Sequence, residues 1–160
     1  MSRIKKAISQ KIFFIALILF MLAIDASGGS WNSIVPGLTD ERITRTILGE
    51  PSQIWLAYPK RELKTLRYNS DKAPPGTKGV NIIIDQKTLK VKRIDTTPSV
   101  KLDMKAIEQL YGKPDREFFE DGMTKIQQFS AQGIEIKYEN DNFTVKDISF
   151  IPAEKEQLNQ

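Results

Sequence analysis

Two short phrases limit what this chain can become. Leu48-Gly49-Glu50-Pro51 recurs 63 residues later as Tyr111-Gly112-Lys113-Pro114. Each phrase ends a helix: the glycine supplies a left-handed residue after the last turn, and the proline forbids continuation. Ahead of the first, Pro36-Gly37 makes a turn, Thr39 is an N-cap, and Asp40 and Glu41 place negative charge on the helix's positive end. Ile43, Ile47 and Leu48 share one face, so the pattern predicts an amphipathic helix over 40–48. Ahead of the second phrase Asp103 can cap, and Ile107, Leu110 and Tyr111 form an apolar stripe with Ala106 beside it. Helices this short are marginal alone, so each must dock on something.

Each helix leads into strand-like sequence. Runs at 53–58, 62–68, 79–85 and 89–94 come after the first, and runs at 116–120, 125–129, 133–139 and 143–150 after the second. They are rich in β-branched and aromatic residues and are separated by turn chemistry, at Tyr58-Pro59, Asp121-Gly122 and Asn140-Asp141-Asn142. From Gly79 to Ile94 the two halves align without a gap at an offset of 54, matching Ile82 with Ile136, Val91 with Val145 and Ile94 with Ile148. Val80, Ile82 and Ile84 fall on one face, as do Ile134, Ile136 and Tyr138, while Asn81, Ile83 and Asp85 oppose them on a wetter face. Alternation breaks at the same place in both halves, which predicts a shared bulge. The fold class expected is α+β: a tandem duplication of one short helix packed on an antiparallel β-meander, with units at 35–96 and 99–151 and a polar tail at 152–160.

Residues 1–28 have the form of an export leader. Arg3, Lys5, Lys6 and Lys11 precede an unbroken apolar run from Ile12 to Ile24, and small residues come next. Thirteen helical residues span about 20 Å, short of the roughly 30 Å hydrocarbon core. The two readings are a cleaved signal peptide and an uncleaved N-terminal membrane anchor through Ile12–Ile24. Leader cations against Asp25 account for +3 of the formal +4, so the remainder is nearly neutral. That argues against nucleic acid as a partner; the local cluster Lys87, Lys90, Lys92 and Arg93 is read as a solvated strand edge. The chain has no Cys and no His, which removes disulfides, Ser-His and Cys-His nucleophiles and the commonest transition-metal ligand.

The pattern Pro36-Gly37-x-Thr39, Leu48-Gly49-x-Pro51, a Tyr-bearing strand, then Gly, a β-rich run and a final Val-x-x-Ile resembles the SmpA/OmlA-type outer-membrane assembly lipoproteins. It also resembles β-lactamase-inhibitor proteins, which carry two such units in tandem. The resemblance covers about 35–150. It implies short helices on an antiparallel sheet and work done by binding other proteins. The lipidated cysteine of the assembly lipoproteins has no counterpart here, and the second unit lacks the Pro-Gly turn.

The carboxylates sit mostly where caps, turns and the wet sheet face need them, so no catalytic residue, metal ligand or cofactor is assigned. Asp141 beside Glu139 lacks EF-hand spacing and reads as a hairpin turn. The candidate binding residues are Trp31, Trp55, Ile83, Phe118 and Phe119, chosen because aromatics dominate binding sites. In the first strand Ile54, Leu56 and Tyr58 are taken as core, leaving Trp55 on the wet side. Phe118 and Phe119 must point to opposite faces, and one of them is expected at the contact between units. The 69–78 loop is present in one half only and is a second candidate. The expectation is a non-catalytic, exported or membrane-tethered envelope protein whose partner is another envelope protein. The alternative is a small envelope hydrolase or ligand-binding protein.

Overall fold

The computed structural model describes residues 29–57 and 62–153. The leader, the Tyr58-Pro59 turn and most of the polar tail lie outside the described residues.

Helix α1 spans Glu41–Leu48 and α2 spans Met104–Tyr111. The caps are Asp40 and Asp103, whose carboxylates accept from Ile43 N and Ala106 N, each at 2.8 Å. Thr39 is therefore not the cap, as the sequence suggested; its hydroxyl accepts from Val35 N at 2.9 Å and closes the preceding turn. Both helices stop at glycine, but not in the left-handed helical region. Gly49 (φ 77°, ψ −163°) and Gly112 (φ 81°, ψ −152°) occupy a region open essentially to glycine alone.

The strands are β1 (Gln53–Leu56), β2 (Leu63–Asn69), β3 (Thr77–Asp85), β4 (Val91–Pro98), β5 (Arg116–Glu120), β6 (Thr124–Phe129), β7 (Ile134–Tyr138) and β8 (Val145–Phe150). They form one eight-stranded antiparallel sheet in the order β1-β2-β3-β4-β8-β7-β6-β5. The last strand of each half meets the other in the middle. Ile94 pairs with Phe150, Asp95 with Ser149 and Thr96 with Ile148. At the offset of 54 this register maps onto itself, so a local two-fold axis passes through the Asp95–Ser149 pair. The expected bulges are present at matching places: Lys92 is the extra residue between Val91 and Arg93, and Lys146 between Val145 and Asp147.

One face of the sheet is the core. A row runs Leu66–Ile82–Ile94–Phe150–Ile134–Phe129 across six strands, and beside it another runs Tyr68–Val80–Thr96–Ile148–Ile136. All of these side chains are buried. Ile107 of α2 is buried in the same cluster, with Leu48 and Tyr111 packed against it. Tyr68 ties α1 to the sheet by donating to Gly49 O at 3.1 Å; burial pushes its pKa up to about 12.

Three expectations about packing change. In α1 the buried residue is Thr44, while Ile43 and Ile47 stay 43% and 39% exposed. Thr44 can occupy a core position because its hydroxyl donates to Asp40 O at 2.9 Å. Ile54 and Leu56 do lie on the core side of β1, but they are nearly half exposed, because β1 is an edge strand. The cationic cluster is not a strand edge either: β4 is central, and Arg93 is ion-paired. Trp31 and Ile34 enter the core from the N-terminal segment, where a tight turn bonds each backbone to the other.

Candidate binding face

Among the described residues no helix packs its buried side chains on the second face of the sheet, and that face is largely polar at its centre. A row crosses all eight strands: Gln53, Arg67, Asn81, Asp95, Ser149, Glu135, Gln128, Arg116. At the local two-fold the polar groups are knitted together by Arg93. Its Nε donates to Asp95 Oδ1 at 2.6 Å, and one terminal nitrogen donates to Glu135 Oε1 at 2.8 Å and Ser149 Oγ at 2.7 Å. Ser149 Oγ in turn donates to Asp95 Oδ1 at 2.6 Å, and Gln128 donates to the other Glu135 oxygen at 2.9 Å. Burial pulls the Arg93 pKa down, but its bonds to Asp95 and Glu135 outweigh this and raise it. Thr97 adds a bond to Asp147 at 2.7 Å, so β4 is fastened to β8 by side chains as well as backbone. One guanidinium bonds Asp95 of the first half and Glu135 and Ser149 of the second, so this cluster serves to join the halves.

Apolar side chains lie outside that centre. Trp55, Thr65, Ile83 and Arg93 form one row, so the structure brings two candidate residues, Trp55 and Ile83, onto the same stripe. Trp55 is 48% exposed, and the Arg67 guanidinium sits 5.0 Å from its ring centre. That stacking holds the indole against the sheet rather than free in solvent. Phe118 lies on the same face at the opposite edge, seven strand spacings away, or about 34 Å. Phe119, 55% exposed, points to the core side of the edge strand. Neither phenylalanine is at the contact between halves, because β5 is the far edge and the joint is β4 with β8. Trp31 is 1% exposed and serves the core, so it is unavailable to a partner.

The 69–78 loop is tied down. Asn69 and Ser52 exchange bonds of 3.2 Å, Thr77 Oγ1 donates to Pro74 O at 2.8 Å, and Ser99 N donates to Gly76 O at 3.0 Å. Sequence reasoning missed Arg67 and the Arg93 cluster. The available signal was Arg93 and Asp95 two apart on one strand, which places opposite charges side by side on one face.

Hollows lie on the other side of the molecule. One of about 830 Å³ runs between α1 and the β3–β4 hairpin, past Glu41, Arg45, Glu50 and Leu89. Its glutamates are already paired: Glu41 bonds Lys64 and Arg45, and Arg45 also reaches Glu50. Burial raises the Glu41 pKa, but the two cations overcome it, so the net displacement is downward. Several other carboxylates close local structure. Asp85 and Asp141 accept backbone N–H groups in hairpin turns, and Asp115 accepts from Ser130 N. Among the described residues no cluster of three or more potential ligands could hold a metal ion.

Fold and face together define an α+β protein whose described residues form one antiparallel sheet with short helices on its core side. No protein-family model matches the sequence, and no curated protein matches it. Solved structures share the fold. A DUF4309-family protein from Bacillus subtilis is similar with a TM-score of 0.56 and 9% identity, over 86% of this chain and 95% of that one. An extracellular protein containing an SCP domain, from Bacillus anthracis, is similar with a TM-score of 0.53 and 14% identity; the match covers 85% of this chain but about half (49%) of that one.

Proposed function

We propose that this chain is an exported or membrane-tethered protein of the cell envelope that works without catalysis, by binding another protein across the bare face of its sheet. The observation that carries the reading is that face. A broad eight-stranded surface with a half-exposed Trp55 steadied by Arg67, beside Ile83, suits a flat partner better than a small enclosed ligand. The leader sequence supports export, as does the Bacillus anthracis neighbour, which is described as extracellular. The two halves are read as a tandem duplication: helices, caps, bulges and core rows recur at the offsets found in the sequence. The resemblance to assembly lipoproteins and β-lactamase-inhibitor proteins also favours a protein partner. A hydrolase or ligand-binding reading would look first to the hollow beside α1, where Glu41 and Glu50 are already held by cations.

The test places a photo-cross-linking residue at Thr65 or Ile83 in the full chain and, as a control, at Arg42 of α1, which lines the hollow away from that face. Envelope fractions should give the same defined product from both face positions and none from Arg42. Equal products from all three, or a released soluble form that turns over a substrate, would overturn the proposal. Mass measurement of the mature N-terminus separates a cleaved signal from a retained tether.

A further inference from the structure

We propose that β5 is a self-complementary sheet edge at which two copies of this chain join, antiparallel and centred on Phe118. β5 ends the strand order, and all five of its residues are exposed. Its sequence is Arg116-Glu117-Phe118-Phe119-Glu120, with Arg116, Phe118 and Glu120 on the open face. An antiparallel copy centred on Phe118 sets Arg116 opposite Glu120 of the second copy, twice over. Phe118 then meets its own equivalent, and on the other side Glu117 lies beside Phe119 of the second copy.

No other register does this. Centring on Glu117 sets one glutamate on another. Centring on Phe119 puts Phe118 against Glu120 and carries Arg116 past the end of the strand. A parallel in-register pair stacks like charge on like charge throughout. Edge strands are ordinarily protected by charges that repel their own copies; here the charges match. Among the described residues Arg116 makes no ion pair, while Glu120 is paired with Lys137 of β7, so the joint would seat Glu120 between two cations. Asp115, next along the chain, is turned back to Ser130 N and away from the edge. Asp121 sits at φ 52° in the turn that leads the chain back. The opposite edge, Gln53–Leu56, carries no charge at all. Antiparallel joining about a two-fold is also how β4 meets β8 within the chain. The proposal goes beyond the protein-binding reading and does not rest on it.

A five-residue strand is about 17 Å long, so the joint is small and its Kd is on the order of 100 µM. Sedimentation of the full-length chain in detergent solution should show a monomer–dimer equilibrium in that range. Arg116→Glu or Glu120→Arg alone sets two like-charge pairs face to face and should weaken self-association about thirtyfold. Mixing the two variants should restore it, since each charge then meets its opposite. Because the chain has no Cys, Phe118→Cys adds a single thiol facing its own copy, and mild oxidation should link two chains. Phe119→Cys, opposite Glu117 of the second copy, should not link. Circular dichroism unchanged from the parent confirms that the variants are folded. A parent that stays monomeric well above that range, a dimer indifferent to both charge reversals, or equal linkage at 118 and 119 would each overturn the proposal.

Discussion

Replacing Gly133 by Ala should be among the most damaging single-methyl changes in this protein. Gly133 follows the 3₁₀ turn Ser130–Gln132 and opens β7 at φ 60°, ψ 40°. Its N–H bonds Ser130 O at 3.1 Å, and its carbonyl accepts from Ile151 N at 2.8 Å. A Cβ there would lie 2.3 Å from Ile151 O and 3.1 Å from both Ala153 N and the Gly29 Cα. All three atoms are backbone, so no side chain can swing aside. The left-handed conformation costs an alanine about 1–2 kcal/mol. Forcing a methyl into a filled site adds about 1–3 kcal/mol. The expected loss is therefore about 2–5 kcal/mol, a large share of the roughly 5–15 kcal/mol that holds an ordinary domain together. Gly122→Ala is the control, because Gly122 has φ 70° and open space around its Cβ. It should lose only the conformational part, about 1–2 kcal/mol. Urea denaturation followed by circular dichroism gives both values by linear extrapolation. If the two variants agree to within about 0.5 kcal/mol, the convergence of residues 29, 133 and 151 is not what fixes this corner.

The assignment of helix faces predicts that Ile107→Ala costs about 2–4 kcal/mol, whereas Ile43→Ala, at a 43% exposed site, costs under about 1 kcal/mol; thermal melts rank them. Asp141 holds Thr144 Oγ1 and two backbone N–H groups, which lower its carboxyl to about 2. A depressed carboxyl adds stability that is complete above its unfolded pKa. It is lost as pH falls from about 4 to about 2, so Asp141→Asn should flatten the acid limb of stability against pH in that window. Acrylamide should quench Trp55 and spare Trp31, so that Trp55→Phe leaves a blue-shifted, weakly quenched emission; comparable quenching of both tryptophans would contradict their 48% and 1% exposures.

Local chemistry was legible in the sequence. Asp40 and Asp103 stand where a helix needs an acceptor for its first free N–H groups, and Gly49 and Gly112 stand where only glycine can turn the chain. The bulges at Lys92 and Lys146 were legible because an extra residue must break alternation. The one-residue error at Thr39 arose because Thr and Asp both cap well, and only the contact with Val35 N decides between them. Thr44 was passed over because its hydroxyl hides a buried position that Ile107 fills openly in α2. What no local pattern carries is which strands end as edges. That depends on β4 finding β8 across about fifty residues of chain, and it decides whether Ile54, Leu56 and Phe119 are core or surface. For the candidate face, the side of the sheet and the place of Ile83 on it were readable. Its central cluster was not, because Arg93 and Asp95 meet Glu135 only once the two halves have joined.

The joint also says where change is tolerated. Pairing about Asp95 and Ser149 buries both last strands, so positions near the axis must satisfy both halves at once. Thr96 meets this demand from within the core by donating to Ile148 O at 3.0 Å. The same topology pushes each half's first strand to an edge, where no such demand exists. On the proposed duplication, corresponding positions there read Gln53 against Arg116, Ile54 against Glu117, Trp55 against Phe118, Leu56 against Phe119. One edge has become uncharged and the other carries a charge pair around an aromatic. Divergence under no packing constraint would not by itself favour large apolar residues, since each exposed one leaves unfavourable contact with water. Edges that keep Trp55 48% and Phe118 38% exposed are thus the places where a contact outside the chain would recover what folding leaves unused.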